Sequence, residues 1–395
     1  MAMDRNKNKP ATKAVHGRGR PKMEVQPVNP PIIQSTNFLY ESIGQYKRYL
    51  EGDKSVFIYS RYDNPTIMEV EGHVADLENA DRALIFSSGM GAISSTIMAL
   101  VKSGDTILAG DTLYGGTVYF FRDVLPRFGV ETIYFDSRNF DGAEKYADSR
   151  CRILYIETPA NPNLRLTDLK AAVKFAKANG LFTIIDNTFA TPINQNPLDY
   201  GFDLVIHSGS KYLSGSSDLV CGAVAGSDEL AQKIWDYRRL LGTNLDPSAS
   251  FLLLKGIKSL GVRVERHNQN AMAVAKYFEN HPKIEKVHYP GLESHPQHLL
   301  AAGQMRGFGG MVNIELKGGQ ESSENFVDNL KVILNTVSLG GVESIACIPV
   351  LTSQYGLSDE ALREAGITPS MVRLSIGIED EDDLVADIEQ ALDTL

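Results

Sequence analysis

One lysine follows an apolar run at a place where its amine could react. Lys211 comes just after "DLVIHSG" (203–209) and lies among small residues in "VIHSGSKYLSG" (205–215). Most loop lysines are solvated surface residues. An amine in a partly dry pocket beside another positive group, however, has a lowered pKa and can form a Schiff base with an aldehyde. The segment therefore leaves two interpretations open, a surface lysine and a reactive amine.

An acidic side chain ends a second apolar run. Asp186 follows "FTII" in "LFTIIDN" (181–187), at the inner end of what we expect to be a buried strand. A carboxylate is costly there unless it is paired. It could cap the next helix or bond a neighbouring loop. A ligand cation or a protonated ring nitrogen would also satisfy it.

Other residues with possible binding roles also follow apolar runs. Gly89 and Met90 open "GMGA" (89–92) at a strand-to-helix turn, where exposed N–H groups can bind an anion. Tyr114 in "DTLYGGT" (111–117) could stack on a flat ring or simply pack, and Asn161 lies in the turn "PANPN" (159–163). With Lys211 and Asp186, this set matches the needs of pyridoxal 5'-phosphate: an amine, an acid for the pyridinium nitrogen, a stacking ring and a phosphate cradle.

The elements that would position these residues predict an α/β fold. Short apolar strands alternate with helical patterns, which is typical of a mostly parallel central sheet covered by helices, and such sheets bind ligands beyond the carboxyl ends of their strands. The predicted strands are 82–88, 105–110, 130–136, 152–158, 181–187 and 203–209. We expect an N-terminal extended arm (1–62), a large domain (63–255) and a smaller C-terminal α/β domain (256–395). The long helical pattern after residue 247 could break near Gly256 or Gly261.

Composition excludes several classes of protein. The net charge of −10 without a long basic stripe argues against nucleic acid as a partner, and no run approaches the ~20 apolar residues of a membrane span. Basic residues between 5 and 22 predict a solvated, partly disordered tail. Cys151, Cys221 and Cys347 have no disulfide or metal spacing, which favours reduced thiols in a cytoplasmic protein and no metal site.

Several stretches resemble the pyridoxal-phosphate enzymes of cysteine and methionine metabolism. The family includes cystathionine γ-synthase, cystathionine γ-lyase, cystathionine β-lyase, methionine γ-lyase and O-acetylhomoserine sulfhydrylase, and the resemblance runs from about residue 28 to the C-terminus. The matching stretches are "YSRYDNPT" (59–66), "SSGMGAI" (87–93), "DTLYGGT" (111–117), "ETPANPN" (157–163), "DNTFATP" (186–192), "HSGSKYLSG" (207–215), "SLGGVES" (338–344) and "VRLSIGIED" (372–380).

The resemblance implies the cofactor, its ligands and a fold-type I PLP enzyme architecture. Lys211 would hold pyridoxal 5'-phosphate as a Schiff base and move protons, Asp186 would pair with the pyridine nitrogen, and Tyr114 would stack on the ring. The phosphate would be bound by residues of the same subunit and by two residues of a neighbouring one. These are Gly89, Met90, Ser208 and Ser210 of the first subunit and Tyr59 and Arg61 of the second.

The resemblance also implies substrates and partners. Small amino acids would contact Asn161, Ser338 and Tyr114, and Arg373 would form a two-pronged pair with the substrate α-carboxylate. From its local sequence alone, Arg373 would be a surface arginine, and the resemblance overrides that interpretation. Family members are usually homotetramers, built as dimers of dimers with active sites shared between subunits.

Reaction specificity is less well defined by the sequence. Val337, just before "SLGG", weakens the case for recognising a distal ammonium group, and Gly116 stands where methionine γ-lyases usually have cysteine. Segments such as "QMRGFGGMV" (304–312) resemble plant-type cystathionine γ-synthases. We therefore expect γ-replacement on an activated homoserine by a thiol. The alternatives are γ-elimination to 2-oxobutanoate by a cystathionine or methionine γ-lyase, O-acetylhomoserine sulfhydrylation, an aminotransferase of similar fold and an inactive binding protein.

Overall fold

The computed structural model describes residues 8–17, 27–356 and 358–395. The strands are β1 (Arg82–Phe86), β2 (Thr106–Gly110), β3 (Glu131–Phe135), β4 (Cys151–Glu157), β5 (Phe182–Asp186), β6 (Leu204–Ser208), β7 (Gly222–Gly226), β8 (Ile284–His288), β9 (Met311–Leu316), β10 (Leu334–Asn335), β11 (Ile345–Cys347) and β12 (Met371–Ser375). The helices are α1 (Pro10–His16), α2 (Ile43–Leu50), α3 (Pro65–Leu77), α4 (Gly89–Leu100), α5 (Gly115–Tyr119), α6 (Leu169–Asn179), α7 (Thr191–Asn194), α8 (Asp228–Leu241), α9 (Pro247–Glu279), α10 (His298–Gln304), α11 (Gly319–Asn329), α12 (Asp359–Ala365) and α13 (Glu381–Leu392).

The larger sheet has the strand order β1-β7-β6-β5-β4-β2-β3. Strands β2 to β6 are parallel to one another, and β7 runs antiparallel between β1 and β6. Each predicted strand between residues 82 and 209 is present, and apolar clusters cover the sheet. The predicted α/β class with a mostly parallel central sheet is therefore confirmed.

Strand β7 was not predicted from the sequence. Its residues "GAVAG" have weak strand preference because small side chains gain little from packing on a pleated surface. Gly222 is needed there for a close approach, since a Cβ on it would lie 2.2 Å from the Ser88 carbonyl oxygen. The strand forms because tertiary contacts on both of its edges outweigh its local propensity.

Helix α6 illustrates how the sequence sets the element ends around the site. Asp168 caps it, with its carboxylate accepting N–H bonds from Lys170 at 2.9 Å and Ala171 at 3.1 Å. Gly180 ends it in the left-handed conformation at φ 66°, as the sequence predicts. The helix packs its apolar face against β4 and β5 and so supports the strands whose ends carry the candidate residues.

The C-terminal part forms a second sheet in the order β10-β11-β12-β9-β8. Helix α9 continues through Gly256 and Gly261 without a break, so the predicted break is wrong. A Cβ on Gly256 would lie 2.2 Å from the Ser214 carbonyl oxygen, and therefore this glycine provides a close approach to the loop after Lys211. The predicted domain boundary at 255/256 falls inside α9 and stays a prediction.

The N-terminal region is less extended than its sequence indicates. Helices α1 and α2 lie within the predicted arm, and Ala14 of α1 is buried against the larger core. Ser42 caps α2 by accepting the Gln45 N–H at 3.3 Å. The segment 29–42 between them carries no helix, and much of the predicted basic tail (1–7 and 18–26) lies outside the described residues. In the described part of the chain, no helix is long and apolar enough to cross a membrane.

Candidate active site

The carboxyl ends of β4, β5 and β6 form one edge of the larger sheet. Glu157 is in register with Asp186, and Asp186 with Ile206, so the three strand ends lie side by side. Lys211 follows β6 in a turn, and its backbone N–H donates to the Ser208 carbonyl at 3.2 Å. The parallel sheet therefore brings together residues that are distant in sequence.

The Lys211 amine bridges the two halves of the chain. Its Nζ donates to Ser338 Oγ at 2.5 Å. Burial lowers the pKa of the Lys211 amine, and the nearby positive charge of Arg373 lowers it further. A lowered pKa increases the fraction of neutral amine, which is the form that attacks a carbonyl. This geometry favours the interpretation of Lys211 as a reactive amine over that of a surface lysine.

Asp186 is buried and fixed in orientation by the next turn. It is 6% exposed, and its Oδ1 accepts bonds from the Thr188 N–H at 3.0 Å and the Thr188 hydroxyl at 2.6 Å. Burial raises the pKa of the Asp186 carboxyl, while the two Thr188 bonds oppose that rise. A cation placed next to this carboxylate would offset the cost of its burial.

A second buried carboxyl, Glu157, was missed by the sequence analysis. Its Oε2 accepts the Tyr114 N–H at 2.7 Å and its Oε1 accepts the Asn161 N–H at 3.3 Å. It thereby ties together two loops that carry candidate residues. The signal was available, because Glu157 ends the apolar run "RILYIE" just as Asp186 ends its own.

The buried Glu157 carboxyl leads to a prediction about how the free energy of unfolding depends on pH. Burial and the neighbouring Asp186 charge raise its pKa well above the ordinary 4.5. A carboxyl with a higher pKa in the folded chain binds a proton more tightly there, so the free energy of unfolding increases as the pH falls towards 4.5. We expect Glu157→Gln to flatten this dependence, by up to about 1.4 kcal/mol per pH unit. The measurement is denaturant unfolding of the cofactor-free protein from about pH 8 to about pH 5.

The matched control is Glu285→Gln on the exposed side of β8. It removes a carboxyl of the same type from an exposed position. If Glu157→Gln and Glu285→Gln give the same pH dependence as the unaltered chain, the buried carboxyl does not titrate as described.

The start of helix α4 offers a cradle for an anion. Ser88 caps the helix by accepting the Gly91 N–H at 2.9 Å. A Cβ on Gly89 would lie 3.1 Å from both Cβ and Oγ of Ser208, so glycine lets the helix start approach the end of β6. Ser210 lies one turn further on, but its hydroxyl is engaged with the Cys221 backbone, donating to the carbonyl at 3.2 Å and accepting the N–H at 2.8 Å.

Tyr114 lies beside this edge of the sheet, and its side chain is 47% exposed. A Cβ on Gly116 would lie 2.5 Å from the Tyr114 ring atom Cε1 and 3.1 Å from the Met90 sulfur. The absence of a side chain at Gly116 therefore leaves room for the ring beside Met90. A cysteine at this position would displace the ring.

Arg373 is buried in β12, unlike the surface arginine that its local sequence alone indicates. It is 4% exposed, and it donates to Asn161 Oδ1 at 3.1 Å and to the Ser338 carbonyl at 2.7 Å. Its buried Nε has no hydrogen-bond partner in the described part of the chain. Ser338 itself adopts φ 90°, a conformation that non-glycine residues rarely hold without a functional constraint. Lys211, Ser338, Arg373 and Asn161 therefore form one connected cluster.

Tyr59 and Arg61 lie apart from this cluster. The Arg61 guanidinium donates to the Arg239 carbonyl and stacks over the rings of Tyr59 and Tyr62 at 5.4 and 5.1 Å. Tyr59 is 37% exposed. Within the described residues, these contacts place both side chains in their own loop and against α8, so the structure does not bring them to Lys211 of the same chain.

Comparisons with known proteins agree with this geometry. The sequence model of the Cys/Met metabolism PLP-dependent enzymes matches residues 11–393. An L-methionine γ-lyase of Fusobacterium nucleatum subsp. polymorphum is 41% identical over 368 residues, 92% of this chain and 93% of the relative. A cystathionine γ-lyase of Dictyostelium discoideum is 40% identical over 389 residues and covers 98% of both chains.

Solved structures are similar over the whole length. MetB of Corynebacterium glutamicum superposes with a TM-score of 0.93 at 35% identity, covering 99% of this chain and 100% of its own. Cystathionine γ-synthase of Xanthomonas oryzae pv. oryzae, solved with aminoacrylate and cysteine, has a TM-score of 0.92 at 37% identity and covers 98% of both chains. Architecture and sequence together define a fold-type I PLP enzyme.

The chain belongs to the Cys/Met metabolism family of PLP-dependent enzymes, and the family resemblance expected from its motifs is confirmed. It is a lyase or transferase of sulfur amino-acid metabolism whose cofactor is pyridoxal 5'-phosphate. The residues present fit that cofactor. The start of α4 at Gly89, in close approach to Ser208, suits a phosphate, and the buried Asp186 carboxylate suits a protonated ring nitrogen.

Proposed function

We propose that this chain catalyses γ-elimination from L-amino acids with an uncharged sulfur substituent on the γ-carbon. With water, the reaction releases a thiol, ammonia and 2-oxobutanoate. The observation that carries this choice is the position of Val337. Its side chain is 61% exposed, and the next residue, Ser338, accepts the hydrogen bond from Lys211. An apolar side chain offers no partner to a distal ammonium group. The names of the γ-lyase relatives support the same choice.

Different residues of the chain have different roles in this reaction. Bound pyridoxal 5'-phosphate supplies an electron sink for the bonds at the substrate α-carbon. Lys211 Nζ, with its lowered pKa, accepts the α-proton and can return it at a neighbouring carbon, while Ser338 Oγ holds the amine in place. Arg373 and Asn161 bind the α-carboxylate and so orient the α-hydrogen towards Lys211.

Arg373 gives a test of substrate binding. Arg373→Lys keeps the charge but loses the planar fork, so we expect KM for the amino acid to rise about tenfold or more, with a smaller change in kcat. Steady-state kinetics on a γ-substituted amino acid measure both values. Arg150→Lys, at a surface arginine that pairs with Asp148 through two nitrogens, is the matched control. An unchanged KM in Arg373→Lys would remove Arg373 from carboxylate binding.

A second candidate is γ-replacement on an activated homoserine, the reaction expected from the sequence. The same first steps serve both reactions. In replacement a thiol then adds to the γ-carbon, whereas in elimination water converts the product to 2-oxobutanoate and ammonia. The structural similarity to cystathionine γ-synthase supports it, and it stays a prediction.

A substrate panel separates the two candidates. Methionine, cystathionine, cysteine and the O-succinyl, O-acetyl and O-phospho esters of homoserine are each assayed with and without added cysteine. Ketoacid from methionine without a thiol supports γ-elimination. Cystathionine from an ester plus cysteine, with no ketoacid from methionine, would replace the first proposal by the second.

We also infer a homotetramer, built as a dimer of dimers, in the cytoplasm. Exposed apolar side chains on the arm and α2 (Leu39, Ile43 and Leu50) suit a subunit interface. The separation of Tyr59 and Arg61 from Lys211 fits a site that is completed by a neighbouring subunit. The free, buried cysteines suit a reducing compartment.

Mixed oligomers test whether the site is shared. Lys211→Ala and Arg61→Ala subunits are each expected to be nearly inactive. Co-expressing them should recover activity in up to about half of the sites of each mixed pair. The restored site combines Lys211 of the Arg61→Ala subunit with Arg61 of the Lys211→Ala subunit. Activity per mole of oligomer is the measurement. Lys211→Ala mixed with Asp186→Asn is the control, since both changes lie on the same side of the site. Recovery in neither mixture would contradict sharing.

A further inference from the structure

A buried glutamate–histidine pair lies behind the strand-end carboxylates. His207 of β6 and Glu78, which follows α3, have side chains 2% and 0% exposed, and His207 Nε2 lies 2.5 Å from Glu78 Oε1. Glu78 also accepts bonds from Asn187 at 3.2 Å and Asn196 at 3.3 Å. A carboxylate removed from water in this way is stable only beside a positive charge and several donors. Glu78 and His207 therefore form a hydrogen-bonded pair that is almost completely removed from water.

The pair is joined to Asp186 through the sheet. Asn187, which donates to Glu78, is the next residue after Asp186, and its backbone N–H donates to the Ile206 carbonyl at 3.0 Å. Asp186 is in register with Ile206, and His207 follows Ile206 on β6. The glutamate thus holds β6 and the end of β5 in one arrangement.

Asp186 therefore lies between a carboxyl on β4 and an imidazole on β6. On β4, Glu157 is in register with it, and the Asp186 charge raises the pKa of the Glu157 carboxyl. Burial raises the pKa of the Asp186 carboxyl, the Thr188 bonds lower it, and the positive charge of His207 on β6 lowers it further. Without His207, burial would be opposed only by the Thr188 bonds, and the pKa of the Asp186 carboxyl would be higher.

We propose that Glu78 and His207 are positioning residues that keep Asp186 ionised and fixed in place to hold the ring nitrogen of the cofactor. The proposal rests on the role proposed for Asp186. It assigns a function to a buried pair whose contacts are to Asn187 and Asn196. Its effect should pass only through Asp186.

The test is a double-mutant cycle on cofactor affinity, with bound pyridoxal 5'-phosphate measured by its visible absorbance in titrations of the cofactor-free chain. His207→Gln and Glu78→Gln keep hydrogen-bonding groups but remove the charge. Each is expected to weaken cofactor binding about tenfold. In an Asp186→Asn background, neither should weaken it further, because no charge remains to be stabilised. If His207→Gln fails to fold, Glu78→Gln carries the same cycle.

A second histidine–glutamate pair provides the control. His288 Nε2 and Glu315 Oε1 lie 2.7 Å apart on the other sheet, also largely buried. His288→Gln should lower stability comparably and leave cofactor affinity unchanged. The positioning role alone would be overturned if the effects of Glu78→Gln and Asp186→Asn on cofactor affinity simply add. It would also be overturned if Glu78→Gln leaves the affinity unchanged. Unchanged affinity in Asp186→Asn would overturn the role of Asp186 itself and the inference with it.

Discussion

Lys211→Ala is expected to lower kcat/KM at least about 10⁴-fold and to abolish the yellow absorbance of the bound cofactor. The physical reason is that we propose two roles for this one amine. Its lowered pKa makes it a nucleophile towards the cofactor aldehyde, and its hydrogen bond to Ser338 Oγ holds it where a substrate proton can be accepted. Steady-state kinetics and the absorption spectrum of the purified variant are the measurements.

Two controls separate chemistry from folding in the Lys211 variant. Lys174→Ala removes an exposed lysine from α6 and should change neither activity nor colour. Adding a small primary amine to Lys211→Ala should restore part of the rate, because a free amine can replace the missing base at the vacant position. A Lys211→Ala enzyme that remains yellow and within tenfold of the unaltered activity would contradict the assignment of the amine.

Strand ends were predictable from the sequence because apolar runs of strand length are a local signal. This signal located Asp186, Asn161 and Lys211, and the sheet brought them together through the geometry of parallel strands. Glu157 could have been found by the same rule. The family resemblance placed Arg373 in the site although its local sequence indicated only a surface residue.

Other features depended on contacts that no local pattern contains. The Glu78–His207 pair joins residues 129 positions apart, and nothing near either residue predicts the partner. The continuity of α9 depends on close packing of Gly256 against Ser214, so a residue that usually weakens helices serves tertiary contact instead. Strand β7 forms from small residues because both of its edges are paired.

Asp186→Asn is expected to lower kcat about 10²- to 10³-fold. The amide has nearly the same shape and can still accept the Thr188 bonds, so the turn after β5 should persist. It carries no charge, however, and therefore cannot stabilise a protonated ring nitrogen or keep the cofactor electron-withdrawing. The rate of α-proton exchange in deuterated water, measured by NMR on bound substrate, should fall with kcat because both depend on the same electron withdrawal.

Asp203 gives a closely matched control for this change. Its Oδ2 accepts bonds from the Thr183 N–H at 2.8 Å and the Thr183 hydroxyl at 2.7 Å, the same pair of bonds that Asp186 accepts from Thr188. It precedes β6, at the opposite edge of the sheet. Asp203→Asn should therefore alter stability to a similar degree and leave both kcat and exchange unchanged. Equal losses of activity in the two variants would mean that the Asp186 carboxylate acts through the turn it holds and not through its charge.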